Sequence, residues 1–258
     1  MTVKPKKSFG QHFLHDENIA RKIAGSLTGY GEYNNLLEVG PGMGMLSKQL
    51  LKMPGMSWHG IEYDKESVDY FVEQFPHAAS KIKHGDFLKY NLNSLFNNNK
   101  FGLIGNFPYN ISTQIVFKAL EYRNQIPEIV GMFQKEVAER LASKHGSKTY
   151  GILSVLCQTF YDVEILFRVS EKVFYPPPNV ISAVVRMKTK NNAIDLACEK
   201  KLFEIVKIAF NQRRKTLRNA LKQSVAKDDM SSGLFDKRAE QLSVDDFKML
   251  TEYIINLK

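Results

Sequence analysis

The sequence predicts an α/β fold, in which helices cover both faces of a mainly parallel sheet and a small all-helical domain follows. Three observations support this prediction. Apolar runs of strand length alternate with helical patterns up to about residue 140. A glycine-rich turn follows the first of these strands, and strand patterns end near residue 188. We place the boundary in the polar stretch 188–192, which gives domains of residues 1–188 and 189–258.

The predicted elements of the first domain alternate from its first helix onward. Asp16 is suited to cap that helix, and Asp64 is suited to cap a later one. The predicted strands are, in chain order, 36–39, 58–63, 81–84, 101–105 and 128–133. Because strands that alternate with helices run mainly parallel, their carboxyl ends meet at one edge, where such sheets bind ligands.

The second domain is predicted to contain helices only. Apolar residues at 202, 205, 206 and 209 have helical spacing and indicate one helix. The sequence from Ser243 to Asp246 resembles a capping box, which predicts the start of a last helix.

The composition indicates a folded protein with a polyanionic partner. The chain has 258 residues, 43% of them hydrophobic and 24% charged, with a formal net charge of +9. Such an excess of positive charge favours nucleic acid as the partner. A membrane surface is the alternative, but we find neither a long basic amphipathic helix nor 18 consecutive apolar residues. Two separate cysteines and the absence of a secretory signal pattern lead us to expect a cytoplasmic protein, and their spacing gives no metal signature.

Residues Asn106 to Tyr109 follow an apolar run, 101–105, that is typical of a short buried strand. The Asn106 side-chain oxygen and a carbonyl held by the proline, that of Phe107 or Pro108, are suited to accept hydrogen bonds from an exocyclic amino group. Tyr109 is suited to stack on the ring that carries this amino group. The alternative is a strand end followed by a proline turn, which many α/β proteins contain.

Three other strand ends carry residues suited to a nucleoside. The glycine turn that starts at Gly40 allows the backbone to approach a ligand closely. Glu62 ends the second strand, at a spacing suited to both hydroxyls of a ribose, although a solvated loop charge is the alternative. Asp86 ends the third strand and is suited to accept from an adenine amino group, with a helix cap as the alternative. Because the turn lacks basic residues for phosphates, and Glu38 would repel them, the pattern favours S-adenosylmethionine.

Seven stretches, in order along the chain, resemble the ribosomal RNA small-subunit adenine N6,N6-dimethyltransferases of the KsgA type. They are Phe9–Leu14, Glu38–Gly42, Asn106–Ser112, Gln134–Val137, Phe174–Pro178, Ser182–Arg186 and Phe210–Asn219. Two positions depart from the family pattern. His12 stands where the family often has Asn, and Ile181 where it often has Asp, so a polar contact from the second loop is in doubt.

The resemblance implies a Rossmann-like S-adenosylmethionine-dependent methyltransferase domain followed by a small helical RNA-binding domain. It implies that two methyl groups are placed on N6 of each of two adjacent adenosines near the 3′ end of small-subunit (16S) ribosomal RNA, with a role in subunit biogenesis. In that family the matching positions that hold the cofactor are His12, Leu14, Gly40, Glu62, Asp86 and Asn106. Phe174 resembles the second aromatic wall of the base pocket, with a plain core phenylalanine as the alternative. We expect small Gly105 and Ser112 to leave room for the first methyl group.

A basic cluster in the second domain is the candidate RNA contact. It consists of Arg213, Arg214, Lys215 and Arg218. On a helix, Arg214 and Arg218 would lie on one side at i, i+4 and would need an anionic partner, although a solvated helix face is the alternative.

Three functions are compatible with these patterns. The first is a methyltransferase of small-subunit ribosomal RNA, for which we expect a monomer that acts on a pre-formed ribonucleoprotein without a metal. The second is a relative that methylates an adenine of large-subunit RNA, for which we would not expect the Asn211–Asn219 block. The third is a non-enzymatic RNA-binding assembly factor, which the intact Glu62, Asp86 and Asn106 disfavour.

Overall fold

The computed structural model describes residues 3–191 and 196–257, and these form two compact units. The first unit contains the described residues of Met1–Ala138 together with Asp162–Thr189. The second unit contains those of Glu139–Tyr161 and Lys190–Lys258, so residues 139–161 join the carboxyl-terminal residues. Asn192, the last residue of the predicted boundary stretch, lies outside the described residues. The assignment of residues 1–188 to catalysis and 189–258 to RNA binding stays a prediction.

A seven-stranded sheet forms the centre of the first unit. Its strands are β2 (Asn35–Val39), β3 (Ser57–Glu62), β4 (Ile82–His84), β5 (Phe101–Asn106), β6 (Glu128–Gln134), β7 (Tyr161–Val169) and β9 (Ser182–Thr189). Their order is β4-β3-β2-β5-β6-β9-β7. A separate two-stranded sheet pairs β1 (Phe13–Leu14) with β8 (Phe174–Tyr175).

The five strands predicted from the sequence are all present as β2 to β6, and they pair in parallel. The α/β prediction is therefore confirmed. The sequence did not predict β7, whose apolar residues 165–167 are flanked by charged residues, or β9, which pairs antiparallel with β6. The strand order reverses between β2 and β5, and ligands of such sheets bind outside the carboxyl ends at this point.

Five helices begin in the first unit. They are α1 (Glu17–Ala24), α2 (Ser47–Leu50), α3 (Lys65–Gln74), α4 (Ser112–Glu121) and α5 (Lys135–Ala142). Asp16 caps α1 as predicted, since its carboxylate accepts hydrogen bonds from the N–H groups of Asn18 and Ile19. Asp64 occupies the position before α3, but its side chain caps no helical N–H, so that part of the prediction is wrong. Its carboxylate is instead engaged by side chains, as described below.

The second unit is helical apart from the first residue of β7, as far as its described residues show. Besides the end of α5 it contains α6 (Ile152–Phe160), α7 (Leu196–Asn211), α8 (Leu217–Ala220) and α9 (Val244–Ile255). Helices α6, α7 and α9 pack on one another, and the predicted capping box is confirmed, since Ser243 and Asp246 bond each other's N–H groups. None of the described helices has the length and the apolar character that a membrane span requires.

Glu128, the first residue of β6, connects this strand to the loop that precedes β2. Its side chain is fully buried. The carboxylate accepts hydrogen bonds from the N–H groups of Thr28, Gly29 and Tyr30, from the Thr28 hydroxyl, and from the Tyr33 hydroxyl at 2.7 Å. Burial, with the bond to Glu128 adding to it, raises the pKa of Tyr33. The loop is therefore held by one buried anion, at the amino end of β6.

Replacing Glu128 with Ala leaves buried donors without an acceptor, and we expect the free energy of unfolding to fall by about 3 kcal/mol. Tyr33→Phe removes one donor and keeps the carboxylate satisfied by the others, so it should cost only about 1 kcal/mol. Urea unfolding followed by circular dichroism measures both. Equal stabilities of Glu128→Ala and the wild type would show that the loop does not depend on this carboxylate.

Candidate active site

Two adjoining cavities lie at the carboxyl edge of the sheet in the first unit. The larger has a volume of about 310 Å³ and the smaller about 60 Å³. Gly40, Glu62 and Pro108 line both. Asp86 lines the larger cavity, and His12, Leu14, Asn106, Phe107 and Tyr109 line the smaller. The structure thus brings the predicted cofactor and catalytic residues together, apart from Phe174, although contact of each with a ligand stays a prediction.

The glycine turn after β2 allows the backbone to form one wall of both cavities. Gly40 and Gly42 have φ angles of 71° and 54°, in the left-handed region that favours glycine. A Cβ atom at Gly40 would make ordinary contacts, 3.8 Å from Pro108 and 3.9 Å from a Glu62 carboxylate oxygen. At Gly42 it would press on the Phe13 ring at 3.1 Å. Both positions therefore favour glycine for their conformation, and Gly42 also for the closeness of Phe13.

Glu62, the last residue of β3, is buried and joins the glycine turn to the start of α3. One carboxylate oxygen accepts the Gly42 N–H at 2.9 Å, and the other accepts the Asp64 N–H at 2.8 Å. Burial raises the pKa of this carboxyl group. Each oxygen keeps a further lone pair, so the group is able to accept the hydroxyls of a ribose as well.

Asp86 precedes a short turn of 3₁₀ helix, Phe87–Lys89, at the edge of the larger cavity. Its Oδ1 accepts the Leu88 N–H at 2.9 Å, so Asp86 is a cap, as the alternative interpretation of the sequence held. Among the described residues, the partner of Oδ2 is the Lys89 ammonium, at 3.9 Å. Asp86 thus caps the turn through Oδ1 and keeps Oδ2 for a ligand, so a helix cap and a contact with adenine are compatible.

The amino-terminal segment is fixed beside the larger cavity, which the sequence did not predict. Lys6 stands between Lys4 and Lys7, in a basic run whose sequence is typical of a flexible arm. Its ammonium instead lies 2.5 Å from the buried Asp64 carboxylate and 3.1 Å from Glu66. Gln11 donates to Asp64 at 3.2 Å and accepts the Lys6 N–H at 2.8 Å, and it lines both cavities. The only sequence signal was the acidic residue two positions after Glu62, which we assigned to a helix cap.

The Asn106 side chain is oriented by the segment that contains β1. Its Nδ2 donates to the His12 carbonyl at 2.9 Å, so Oδ1 is the end that remains an acceptor. The Pro108 carbonyl accepts the Ile111 N–H at 3.1 Å, which favours the Phe107 carbonyl as the second acceptor of the site. The Phe107 ring itself is buried against Phe133, with centroids 5.2 Å apart, and anchors the motif in the core.

The small size of Gly105 predicts room for a methyl group beside it, and this prediction is wrong. A Cβ atom there would lie 2.6 Å from the Val39 carbonyl oxygen and 2.8 Å from the Phe107 ring. The space beside this glycine is therefore filled by its neighbours, and the residue is small because the backbone of β2 and an aromatic ring approach it.

Tyr109 is held by two contacts at the smaller cavity. Its hydroxyl is hydrogen-bonded to the Ser182 hydroxyl, and its ring lies 5.3 Å from the His12 ring at an interplanar angle of 31°. His12 Nδ1 donates to the Pro176 carbonyl at 2.7 Å, since a carbonyl oxygen is only an acceptor. His12 thereby joins the Asn106 motif to the proline loop, and the ring of Tyr109 keeps a fixed orientation suited to stacking.

Phe174 lies in the core of the first unit. It is 2% exposed, pairs with Leu14 across the two-stranded sheet, and lines neither cavity. Its role as the second aromatic wall stays a prediction, and it requires movement of this ring or of the proline loop. In the same loop Ile181 is 44% exposed, so the apolar side chain in place of the family's Asp faces solvent.

Glu38 adds a second buried carboxyl group to the smaller cavity. One oxygen accepts the Ser47 hydroxyl at 2.6 Å and the Trp58 indole N–H at 2.8 Å. Burial raises the pKa of Glu38 to about 7, and the nearby Glu62 carboxylate adds to this. Among the described residues, no group of three or more His, Cys, Asp or Glu side chains is placed to hold a metal ion.

The basic cluster of the second unit is only partly available to a ligand. Arg213 lies 2.5 Å from the Glu240 carboxylate, and Arg218 lies 2.8 Å from that of Asp236. Helix α7 ends at Asn211, so Arg214 lies in a turn, and the predicted i, i+4 relation with Arg218 is wrong. Arg214 and Lys215 are exposed and remain the better candidates for RNA contacts.

The sequence matches known proteins over almost its whole length. Residues 2–256 match the family described as Ribosomal RNA adenine dimethylase. A ribosomal RNA small subunit methyltransferase A from Cytophaga hutchinsonii is 55% identical over 254 residues, which cover 98% of this chain and 98% of the relative. One of the same name from Flavobacterium johnsoniae is 57% identical over 254 residues, 98% of this chain and 96% of the relative.

Two solved structures share the fold. A dimethyladenosine transferase from Plasmodium falciparum aligns with a TM-score of 0.75 at 24% identity, covering 94% of this chain and 97% of that one. The 23S rRNA methyltransferase ErmE aligns with a TM-score of 0.68 at 20% identity, covering 93% and 99%. Because the family match spans almost the whole sequence and both relatives are more than half identical, the chain belongs to the ribosomal RNA adenine dimethylase family, and its predicted class, an S-adenosylmethionine-dependent methyltransferase, is confirmed.

Proposed function

We propose that this protein transfers methyl groups from S-adenosyl-L-methionine to N6 of two adjacent adenosines near the 3′ end of small-subunit (16S) ribosomal RNA, two to each. The observation that carries the proposal is the orientation of Asn106, whose amide donates to His12 and leaves its oxygen as an acceptor at the smaller cavity. Beside it lies a cavity with acceptors suited to a nucleoside, lined by Glu62 and Asp86.

The residues of the larger cavity fit the adenosine of the cofactor. Glu62 would hold the ribose hydroxyls, Asp86 would accept from the adenine amino group, and the buried Phe87 would form an apolar wall. The smaller cavity would hold the methionine portion, with Gly40 allowing close approach of the backbone. When bound, the cofactor supplies an electrophilic methyl group on a sulfonium. Glu38 and Glu62 line this cavity, and in their ionised form they would complement the sulfonium.

Adenine N6 is a weak nucleophile because its lone pair is delocalised into the ring. Asn106 Oδ1 and the Phe107 carbonyl would accept its two hydrogens, fix its position and favour the pyramidal nitrogen of the transition state. Tyr109, fixed by Ser182, would stack on the extruded base. The methylated nitrogen becomes acidic and loses its proton late, so no strong general base is needed.

The two alternative functions have less support. Relatives at 55% and 57% identity are named small subunit methyltransferases, whereas the likeness to ErmE, at 20% identity, concerns the fold alone. A non-enzymatic assembly factor would not need the oriented Asn106. We further infer that the protein acts in the cytoplasm as a monomer, and that its substrate is a pre-formed ribonucleoprotein, because basic residues occur in both units.

The proposed reaction is tested by incubating the enzyme with unmodified small and large subunits and labelled S-adenosylmethionine. One part of each RNA is digested to nucleosides, and the modified positions are mapped in the other part by primer extension. We expect N6,N6-dimethyladenosine at two adjacent positions. Asn106→Ala should lose almost all transfer, because an oriented acceptor of this kind accounts for roughly 10²–10³ in rate. Asn99→Ala, which changes an exposed asparagine, is the control. Only N6-monomethyladenosine at saturation, or label confined to large-subunit RNA, would refute the proposal.

The raised pKa of Glu38 predicts that cofactor affinity depends on pH. With a pKa of about 7, most Glu38 carboxyl groups are protonated at pH 6 and ionised at pH 8 in the unliganded protein. A sulfonium favours the ionised form, so affinity for S-adenosylmethionine should rise with pH through this range, by up to about tenfold.

The neutral product, S-adenosylhomocysteine, provides the reference for this prediction. Its affinity should change much less, so the ratio of the two dissociation constants should shift between pH 6 and pH 8 in calorimetry. Glu38→Gln keeps an oxygen that accepts from Ser47 and Trp58 but does not ionise, so its ratio should shift less between pH 6 and pH 8 than that of the wild type. A wild-type ratio that does not vary with pH would contradict a role for Glu38 ionisation.

RNA binding by the second unit is tested through salt. Phosphate contacts make the logarithm of affinity fall linearly with the logarithm of salt concentration. Replacing the exposed Arg214 and Lys215 with Gln should reduce this slope by roughly one to two and weaken binding to RNA of any sequence. Arg213→Gln and Arg218→Gln break internal ion pairs and should mainly lower stability. An unchanged slope in the Arg214 and Lys215 double variant would show that these side chains do not contact RNA phosphates.

A further inference from the structure

Lys118, on α4, is a buried lysine that the reaction described above does not use. It is 8% exposed. Its ammonium donates to the carbonyl oxygens of Leu88, at 2.9 Å, and of Tyr90, at 2.6 Å. The rings of Phe87 and Tyr122 lie 5.5 Å and 5.6 Å from it. Among the described residues its hydrogen-bond partners are carbonyl groups, while the Asp86 and Glu121 carboxylates lie near enough to attract the ammonium without bonding to it.

The segment that Lys118 holds is the turn that presents Asp86. Leu88 is fixed from both sides, because its N–H donates to Asp86 Oδ1 at 2.9 Å and its carbonyl accepts from Lys118. Asp86, Phe87 and Leu88 all line the larger cavity. The direction of the Asp86 carboxylate therefore depends on a backbone position that the ammonium determines.

Burial of an ammonium group is costly, and an apolar side chain of the same length would fill this space without that cost. What an apolar side chain would not do is bring two carbonyl groups to one point. A lysine, with up to three donors on one nitrogen, does this. Helix α4 follows the Asn106–Tyr109 motif directly, so the same contact connects the catalytic motif with the turn that carries Asp86.

We propose that Lys118 is a positioning residue for cofactor recognition, which fixes the turn from Asp86 to Tyr90 so that the Asp86 carboxylate receives the exocyclic amino group of the cofactor's adenine. The inference rests on the proposed function, because it takes Asp86 as the partner of adenine. Its consequence is specific. Without Lys118 the protein loses its preference for an amino group over an oxygen at C6 of the purine, and does not merely bind the cofactor less tightly.

The test compares two neutral ligands by calorimetry, S-adenosylhomocysteine and its 6-oxo analogue, S-inosylhomocysteine. Wild type should bind the adenosyl compound about tenfold or more tightly, since the oxo group offers Asp86 no hydrogen at that position. Lys118→Met should reduce this preference to about twofold, and Lys118→Arg, which keeps the donors, should retain most of it. Lys83→Met is the matched control, since Lys83 is an exposed lysine of β4 that donates to the Ser80 carbonyl and lines neither cavity, and it should leave the preference unchanged.

These measurements distinguish the role of Asp86 from that of Lys118. A wild-type protein without preference would refute the role of Asp86, and with it this inference. A preference that is lost in Asp86→Asn but kept in Lys118→Met would overturn the role of Lys118 alone. A purely structural loss in Lys118→Met would weaken both ligands equally and lower kcat at saturating cofactor, whereas we expect a higher KM for the cofactor with kcat nearly kept. If the Met variant does not fold, Lys118→Gln, too short to reach both carbonyls, is measured in the same way, and an unchanged preference there also overturns the proposal.

Discussion

The buried carboxylate of Glu62 is the contact on which the rest of the site depends. By accepting the N–H groups of Gly42 and Asp64 it fixes the glycine turn and the start of α3 against each other. Asp64, held in place in this way, receives Lys6 and Gln11, and so the amino-terminal segment lies beside the larger cavity. The Glu62 side chain thus positions three walls of the cavities, which are the glycine turn, the start of α3 and the amino-terminal segment. This explains why an acidic residue here has structural value even before any ribose is bound.

Contacts between residues close in sequence were predictable, and contacts between distant residues were not. The cap of α1 by Asp16 and the capping box at Ser243 use partners two or three residues away, so the residue types alone indicated them. Asp64 has the same residue type as Asp16 and the same position before a helix. It differs because its carboxylate binds side chains, the Ser67 hydroxyl nearby and the ammonium of Lys6, 58 residues earlier, and no local pattern reveals the distant partner.

The same distinction explains the arginines of the second unit. Their number and spacing predicted a surface for RNA, but the acidic partners Asp236 and Glu240 lie 18 and 27 residues further along the chain. Once these pairs form, Arg213 and Arg218 act within the unit, and the charge offered to a ligand is carried by Arg214 and Lys215. Net charge therefore favoured nucleic acid as the class of partner, in keeping with the names of the relatives, but did not indicate which side chains are free to contact it.

The number of hydrogens on N6, and not the size of the pocket residues, explains why transfer would stop at two methyl groups. Gly105 leaves no space, because Val39 and Phe107 occupy it. The acceptors proposed here, Asn106 Oδ1 and the Phe107 carbonyl, need hydrogens on N6. An unmodified amine offers two, and a monomethylated amine offers one, so either can be held with its lone pair toward the cofactor. A dimethylated amine offers none, and its two methyl groups would face two oxygen atoms that have lost their partners. The same acceptors that position the first transfer would therefore disfavour a third.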